Sequence, residues 1–350
     1  DRLPFLDRLE LWHRGLLHTG DLPAEFASLT LNQIHRQVGM GQQKFVQAFH
    51  LRLRGVEVVC HFEGEEYYRQ REPVVESFPN LVQLTPPNRV GVTHSEIITP
   101  VGRLTQQHRM LPSTLATGAV AYMSEHPIKS ADDYRVVEYI VERMEYVYQF
   151  DQIAAWQAEM GDSGYAIPML GRIPFQQVLI DYHSTDKVFY ALHDEPQATQ
   201  RLMDLLDRRI NEMLDHLAGY AAPYVEFGDN LDGMVTTPKL FRRYCLPTYQ
   251  RYIEKLHSQG KKVGSHTDGN LKPLLGLLTE TGLDVCESFA PFPLTPCRFE
   301  EAWEAWRQGP IIWGGIPSPL LEARTPQADF EAYMHTLLQR VGRGPIILGV

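Results

Sequence analysis

Two hydrophobic rhythms run through this chain. From about Ala166 onward, short apolar runs alternate with longer stretches in which apolar residues recur at helical spacing. Extended runs are predicted at 167–170, 224–227, 262–266, 283–289, 311–314 and 346–350. Helical stretches are predicted at 186–218, 238–259, 271–281, 299–307 and 327–341. The punctuation agrees with this reading. Thr237 and Pro238 suit a helix start, Gly260 suits its end, and Gly282 stops the next helix. Short strands alternating with helices call for a parallel sheet, because each helix carries the chain back to the same end of the sheet.

The first third is less regular. Residues 6–17 and 31–50 have helical spacing, and 132–160 does too, with Ser130 placed to cap it. Residues 56–62 (VEVVCHF) read as a strand and as a candidate seventh member of the parallel sheet. Residues 90–98 and 103–110 flank the turn signal Thr99-Pro100-Val101-Gly102 and read as a hairpin. The expected fold is therefore α/β, a (β/α)8 TIM barrel with an N-terminal helical and hairpin elaboration. A single domain would span 1–350, with 1–130 carrying the elaboration. A doubly wound dinucleotide fold is disfavoured, since Gly314-Gly315 is followed by Ile-Pro and not by the rest of a glycine fingerprint.

Composition narrows the function classes. Hydrophobic residues make up 43% and charged residues 22% of 350, the mix of a globular protein large enough to fold without a disulfide or a structural metal. The net charge is −10 and no dense Lys/Arg run occurs, which argues against a nucleic-acid partner. No apolar run approaches the roughly 18–20 residues of a membrane span, and residues 1–10 lack the pattern of a secretory leader. A cytoplasmic location is expected. Cys60, Cys245, Cys286 and Cys297 form no C-x-x-C pair, so no disulfide framework is expected.

In a parallel barrel the chemistry sits at the C-terminal ends of the strands. There the sequence delivers Asp229, Asn230 and Asp232 after one strand, His266 and Asp268 after the next, and Glu287 near the end of the third. His266 and Asp268 are two apart and share a side of an extended segment. If Val285 and Glu287 face the lumen, Glu287 stands beside His266. An imidazole and two carboxylates at one point suit a divalent metal, with His266, Glu287 and Asp268 as ligands. They equally suit a metal-free acid/base set, with the carboxylates raising the pKa of His266. Plainer roles exist for each. Asp229 and Asp232 suit helix caps or turns, Asp268-Gly269 suits a turn, and Phe289, Phe292 and Trp313 suit the core as well as a substrate wall.

These residues also carry a resemblance. The segment Phe227-Gly228-Asp229-Asn230-Leu231-Asp232-Gly233, then Thr237-Pro238-Lys239-Leu240-Phe241 and Leu246-Pro247, resembles the uroporphyrinogen decarboxylase superfamily. Residues 260–270 (GKKVGSHTDGN) and 282–287 (GLDVCE) follow in the expected register, and the resemblance covers 186–350 best. The superfamily includes tetrapyrrole decarboxylases and metal-dependent methyltransferases. The decarboxylases' R-Q-A-G-R-Y motif has no match; Tyr68-Arg69-Gln70-Arg71 is nearest. The methyltransferase branches carry His-x-Cys where this chain has His266-Thr267-Asp268, and in some a glutamate where Glu287 stands.

The resemblance thus implies a corrinoid-dependent methyltransferase. Zinc would be held by His266 and Glu287, with Asp268 as third ligand or as a support behind them, and with Asp229, Asp268 and His266 as catalytic groups. Asn230, Phe289, Phe292 and Trp313 would contact a methoxylated aromatic, and a corrinoid protein would accept the methyl group. Replacing a thiolate by Asp268 leaves a harder donor set, which favours activating an ether oxygen over a thiol. The alternatives are a metal-free decarboxylase-like lyase and a non-catalytic corrinoid or small-ligand binding protein.

Overall fold

The computed structural model describes residues 3–322 and 324–350. Its centre is a curled, all-parallel sheet of seven strands in strict chain order. They are β1 (Gln42–Gln47), β2 (Gly164–Met169), β3 (Tyr224–Phe227), β4 (Lys262–His266), β5 (Val285–Phe289), β6 (Ile311–Gly315) and β7 (Ile346–Gly349). The chain's start lies between the two edge strands. Leu6 N donates to Leu348 O at 2.9 Å and Leu348 N to Pro4 O at 2.9 Å, while Gly41 N donates to Phe5 O at 2.9 Å.

The six strands expected in the second half are β2–β7, each within a few residues of its predicted place. Helices Pro196–His216, Leu246–Ser258, Phe299–Ala305 and Gln327–Val341 follow the expected alternation. Three early expectations fail. Glu57–Phe62 is not a strand of the parallel sheet. It pairs antiparallel with Glu65–Arg71 on one side and Gly91–Thr99 on the other. Its tight connection to Glu65 explains this, since a parallel neighbour needs a long crossover. The sheet instead recruits Gln42–Gln47, from a stretch whose spacing predicts helix. The helix there stops at Val38, where Gly39 takes a left-handed φ of 71°. The expected helix over 132–160 is likewise broken, into Ala131–Arg143, the strand Met144–Tyr148 and Phe150–Met160.

The antiparallel material lies between β1 and β2, and β1 falls inside the stretch 1–130 read as the elaboration. The hairpin Gly91–Thr99/Gly102–Met110 forms as predicted, inside a five-stranded sheet. A smaller sheet pairs Phe49–Leu53 with Val74–Val75 and Met144–Tyr148. Helix Ala131–Arg143 ties this segment to helix Pro196–His216. Among the described residues no helix is long and apolar enough to cross a membrane.

Strand alternation sorts the two faces of the parallel sheet. Val225, Phe227, Val263 and Cys286 face the helices and join the main core. Ile167, Val285 and Trp313 turn the other way and pack with Phe45, Met169, Tyr224 and Ile347. Gly264 shows why composition matters here. A Cβ on Gly264 would lie 1.8 Å from the hydroxyl oxygen of Tyr224. Only a bare backbone lets the tyrosine cross that strand. Gly264→Ala is expected to displace the ring and destabilise the fold by about 2 kcal/mol; a urea midpoint equal to wild type would contradict this.

Candidate metal centre and its cavity

Three neighbouring strands build the site. Glu226 lies on β3, aligned with Gly264 of β4, while His266 of β4 is aligned with Glu287 of β5. Glu226 and Tyr224 fall on the face opposite Val225 and Phe227, and the missing side chain at Gly264 leaves them room. One ligand atom from each of Glu226, His266 and Glu287 falls within 4.8 Å of the others. Glu226 and Glu287 are buried, and His266 is half-buried.

The electrostatics favour a cation. Tyr224 Oη donates to Glu226 Oε2 at 2.7 Å, but Glu226 Oε1 is buried without a partner. Burial first, and the Glu287 charge second, push the Glu226 carboxyl well above its ordinary range. His266 Nδ1 meets Glu287 Oε2, and His266 Nε2 lies 3.5 Å from Asp268 Oδ2. Burial opposes charge on the ring, yet Asp268 and Glu287 together raise its pKa to about 10. Ionised Glu226 is costly here because of burial and the Glu287 charge, and its buried Oε1 has no donor. A divalent ion answers both deficits, so the residues present fit the metal that the sequence suggests.

Asp268 stands differently from Glu287. It contacts the opposite ring nitrogen and accepts from Asn230 Nδ2 at 3.2 Å. Burial works against its charge, but the His266 ring and the Asn230 amide hold the carboxyl below its usual range. This is the position of a carboxylate that orients a ligating imidazole from behind. Glu226, which sequence reasoning left unassigned, occupies the third position of the cluster. The signal was present: a lone carboxylate in an apolar strand, on the face shared with Tyr224.

Asp229 is fully buried. Its Oδ1 accepts from Ile173 N at 2.8 Å, and its Oδ2 accepts from Tyr249 Oη and from Ser265 Oγ, the latter at 3.2 Å. Burial, partly offset by these donors, lifts its pKa to about 6. It clamps the loop after β2 to β3, β4 and a helix. Asp232 shapes the neighbouring turn, accepting from Met234 N at 2.7 Å and Asn270 N at 3.0 Å.

A cavity of about 470 Å³ opens beside Glu226 and His266. Asn230 lines it, with φ at 51°. Phe289, Phe292 and Trp313 do not line it. Phe289 should share the face of Val285 and Glu287, but the register shifts between Cys286 and Phe289, and Ser288 takes a φ of 61°. The ring therefore turns outward onto Phe299 and Trp306. Trp313 is buried on the inner face of the sheet, donating to Leu6 O at 3.3 Å. Phe292 is 53% exposed, under the guanidinium of Arg298. The apolar wall comes instead from β1 and the segment after it: Phe45, Phe49, Leu51, Phe78, Met144 and Tyr146.

With the geometry in view, the likenesses to known proteins fall into place. Residues 114–309 match the family described as Uroporphyrinogen decarboxylase (URO-D). No curated protein sequence matches the chain. A solved methyltransferase from Methanosarcina mazei aligns with 15% identity and a TM-score of 0.44, covering 65% of this chain and 65% of that one. The present chain thus spans less than two thirds of that protein's length.

Proposed function

This chain belongs to the uroporphyrinogen decarboxylase family, and within it we propose a metal-assisted methyltransferase. It takes a methyl group from an oxygen-methylated small molecule, such as a methoxylated aromatic, and passes it to a corrinoid protein. The observation that carries this reading is the convergence of Glu226, His266 and Glu287 within 4.8 Å beside the cavity, with one Glu226 oxygen unpaired. In this reading the barrel is a (β/α)8 cylinder whose shortest strand is the Pro4–Leu6 segment bonded to β7 and to Gly41.

Glu226, His266 and Glu287 would hold zinc, and Asp268 would fix the imidazole from its far nitrogen. Zinc, when bound, supplies a Lewis acid that draws electron density from an ether oxygen. In the transfer the carbon–oxygen bond breaks with its electron pair left on oxygen. The methyl carbon takes its new pair from the cob(I)amide of the partner. Demethylating an aryl ether is slow because the departing oxyanion is poorly stabilised, so charge stabilisation at that oxygen is what the site must provide. Tyr224 and Asp268 do the supporting work by holding two of the ligand side chains in place.

The cavity speaks against a tetrapyrrole. About 470 Å³ suits a small ligand. Among the described residues its lining carries two arginines, and both face acids: Arg8 lies 3.2 Å from Glu10, and Arg172 lies 3.5 Å from Asp181. A substrate with many carboxylates needs more cations than that. The test is methyl transfer from a panel of methoxylated aromatics to free cob(I)alamin. Zinc-loaded protein is expected to methylate cobalt, and His266→Ala to lower the rate at least a hundredfold. Undiminished methyl transfer after exhaustive chelation would instead remove the metal from this reading.

A further inference from the structure

We propose that the end of the cavity formed by Asp181 and Asn80 recognises a hydroxyl group, so that the methyl donor is a methoxylated phenol that keeps a free hydroxyl on its ring. The methoxy end of that ligand rests on the methyltransferase reading above; the hydroxyl end rests on these two residues.

Asp181 lines the cavity and is only 7% exposed. Among the described residues no protein donor bonds its carboxyl. The cation facing it, Arg172 Nη1, lies 3.5 Å from Oδ1, longer than a good hydrogen bond. Arg172 turns its Nη2 to Asn230 Oδ1 instead, at 2.8 Å. Burial raises the Asp181 carboxyl above its ordinary range even against the pull of Arg172. A carboxyl so placed lacks a polar partner within the protein, and the cavity is the side from which one can come.

Asn80 supplies the opposite half. Val82 N donates to its Oδ1 at 3.3 Å, which marks that atom as the carbonyl oxygen, and His108 Nε2 meets the same oxygen at 2.9 Å. Burial first, and His126 second, lower the His108 pKa to about 4, so the ring is neutral and carries one N–H. That hydrogen sits on Nε2, aimed at Asn80, because Nδ1 is buried without a partner and an unpaired N–H there would be costly. The carbonyl is thus held by the protein. The amide Nδ2 has no protein acceptor among the described residues, and Asn80 lines the cavity. Phe78 packs edge-on to Tyr182 at 6.2 Å, which brings residues 76–80 beside the stretch Gln177–Tyr182 that carries Asp181.

Together the two groups select the ligand's chemistry. An amide nitrogen only donates, whereas a carboxylate only accepts. A ligand carboxylate would suit Asn80 but stand against a second acid. An ammonium would suit Asp181 but offers Asn80 no acceptor, and a carbonyl has no hydrogen for the carboxylate. A hydroxyl gives its hydrogen to one and a lone pair to the other, and it still bonds Asp181 if that carboxyl is protonated. Phe45, Phe49, Phe78 and Tyr146 wall the same cavity, so the group that carries the hydroxyl is an aromatic ring.

Calorimetric titration of the zinc-loaded full chain with 2-, 3- and 4-methoxyphenol, each against the methoxytoluene of the same pattern, tests the assignment. At least one phenol is expected to bind at least tenfold more tightly than its methyl counterpart. Asp181→Leu should bring that pair level at unchanged zinc content. Asn80→Asp keeps an acceptor for Val82 and His108 and removes the donor. It should lower the preference at least threefold, and it carries the test if the leucine variant does not fold. No preference for any phenol in wild type, or a preference that survives whole in either variant, would overturn the proposal. The two readings separate. Phenol that binds more tightly than toluene without added zinc, and level with it in Asp181→Leu, supports the hydroxyl end even if no methyl group moves. Methyl transfer that runs equally from the phenols and the methoxytoluenes, unchanged in Asp181→Leu, sinks the hydroxyl end and leaves the methyltransferase reading intact.

Discussion

Glu226→Gln is expected to weaken zinc binding about a hundredfold, and Asp268→Asn about tenfold, as measured by competition with a chromogenic chelator. The difference follows from position. Glu226 contributes an unpaired buried oxygen to the cluster, whereas Asp268 touches the far side of the His266 ring. Gln keeps an acceptor for Tyr224 but removes the negative charge, so the fold should survive the change. Equal affinities for wild type and Glu226→Gln would remove this residue from the ligand set.

Acidity gives the same claim a second readout. Without metal the His266 pKa is raised to about 10, so the ring is protonated at neutral pH. A ligating imidazole must be neutral, and zinc binding must therefore expel that proton. Apparent affinity should rise with pH from 7 towards 10, with proton release visible in buffers of different ionisation enthalpy. The stability of the metal-free protein should run the opposite way. The folded pKa lies above the ordinary 6.5, so the charged ring's contribution is complete below 6.5 and disappears as pH rises through about 10.

Asp229→Ala is expected to destabilise the protein by about 3 kcal/mol in urea unfolding, because it removes the acceptor of three buried donors, of which only Tyr249 Oη and Ser265 Oγ can partner each other. Those donors are Ile173 N, Tyr249 Oη and Ser265 Oγ. Asp229→Asn should behave differently. The wild-type carboxyl has its pKa raised from 3.8 to about 6, so its stabilising effect is complete below about 3.8 and is lost as pH climbs through 6. An amide does not titrate there. Relative to Asp229→Asn, wild type should therefore lose on the order of 3 kcal/mol between pH 3.5 and pH 7. A constant difference across that range would show that folding leaves the Asp229 carboxyl at its ordinary pKa.

Much of the site could be read from residue order because β-strand geometry is regular. His266 and Glu287 are brought together by adjacent parallel strands in register, and a period of two places each on the inner face of the sheet. The same rule would have found Glu226, on the face opposite Val225 and Phe227. It misplaces Phe289, because the irregularity at Ser288 reverses the face for one residue. A single left-handed residue has no reliable signature when it is a serine.

Local pattern was sufficient for the run of strands β2–β7 and the helices between them, since each rests on periodicity, caps and glycine stops within its own few residues. It was sufficient, too, for the polar residues at those strand ends. Tertiary structure decided the rest. It made Gln42–Gln47 a sheet strand by pairing it with Gly164–Met169, more than a hundred residues away. It placed the segment after β1 along the cavity, where Phe49, Phe78 and Tyr146 form a wall that no spacing announces. Such features depend on which distant surfaces meet, and the free energy of that meeting is a property of the assembled core rather than of any stretch of chain.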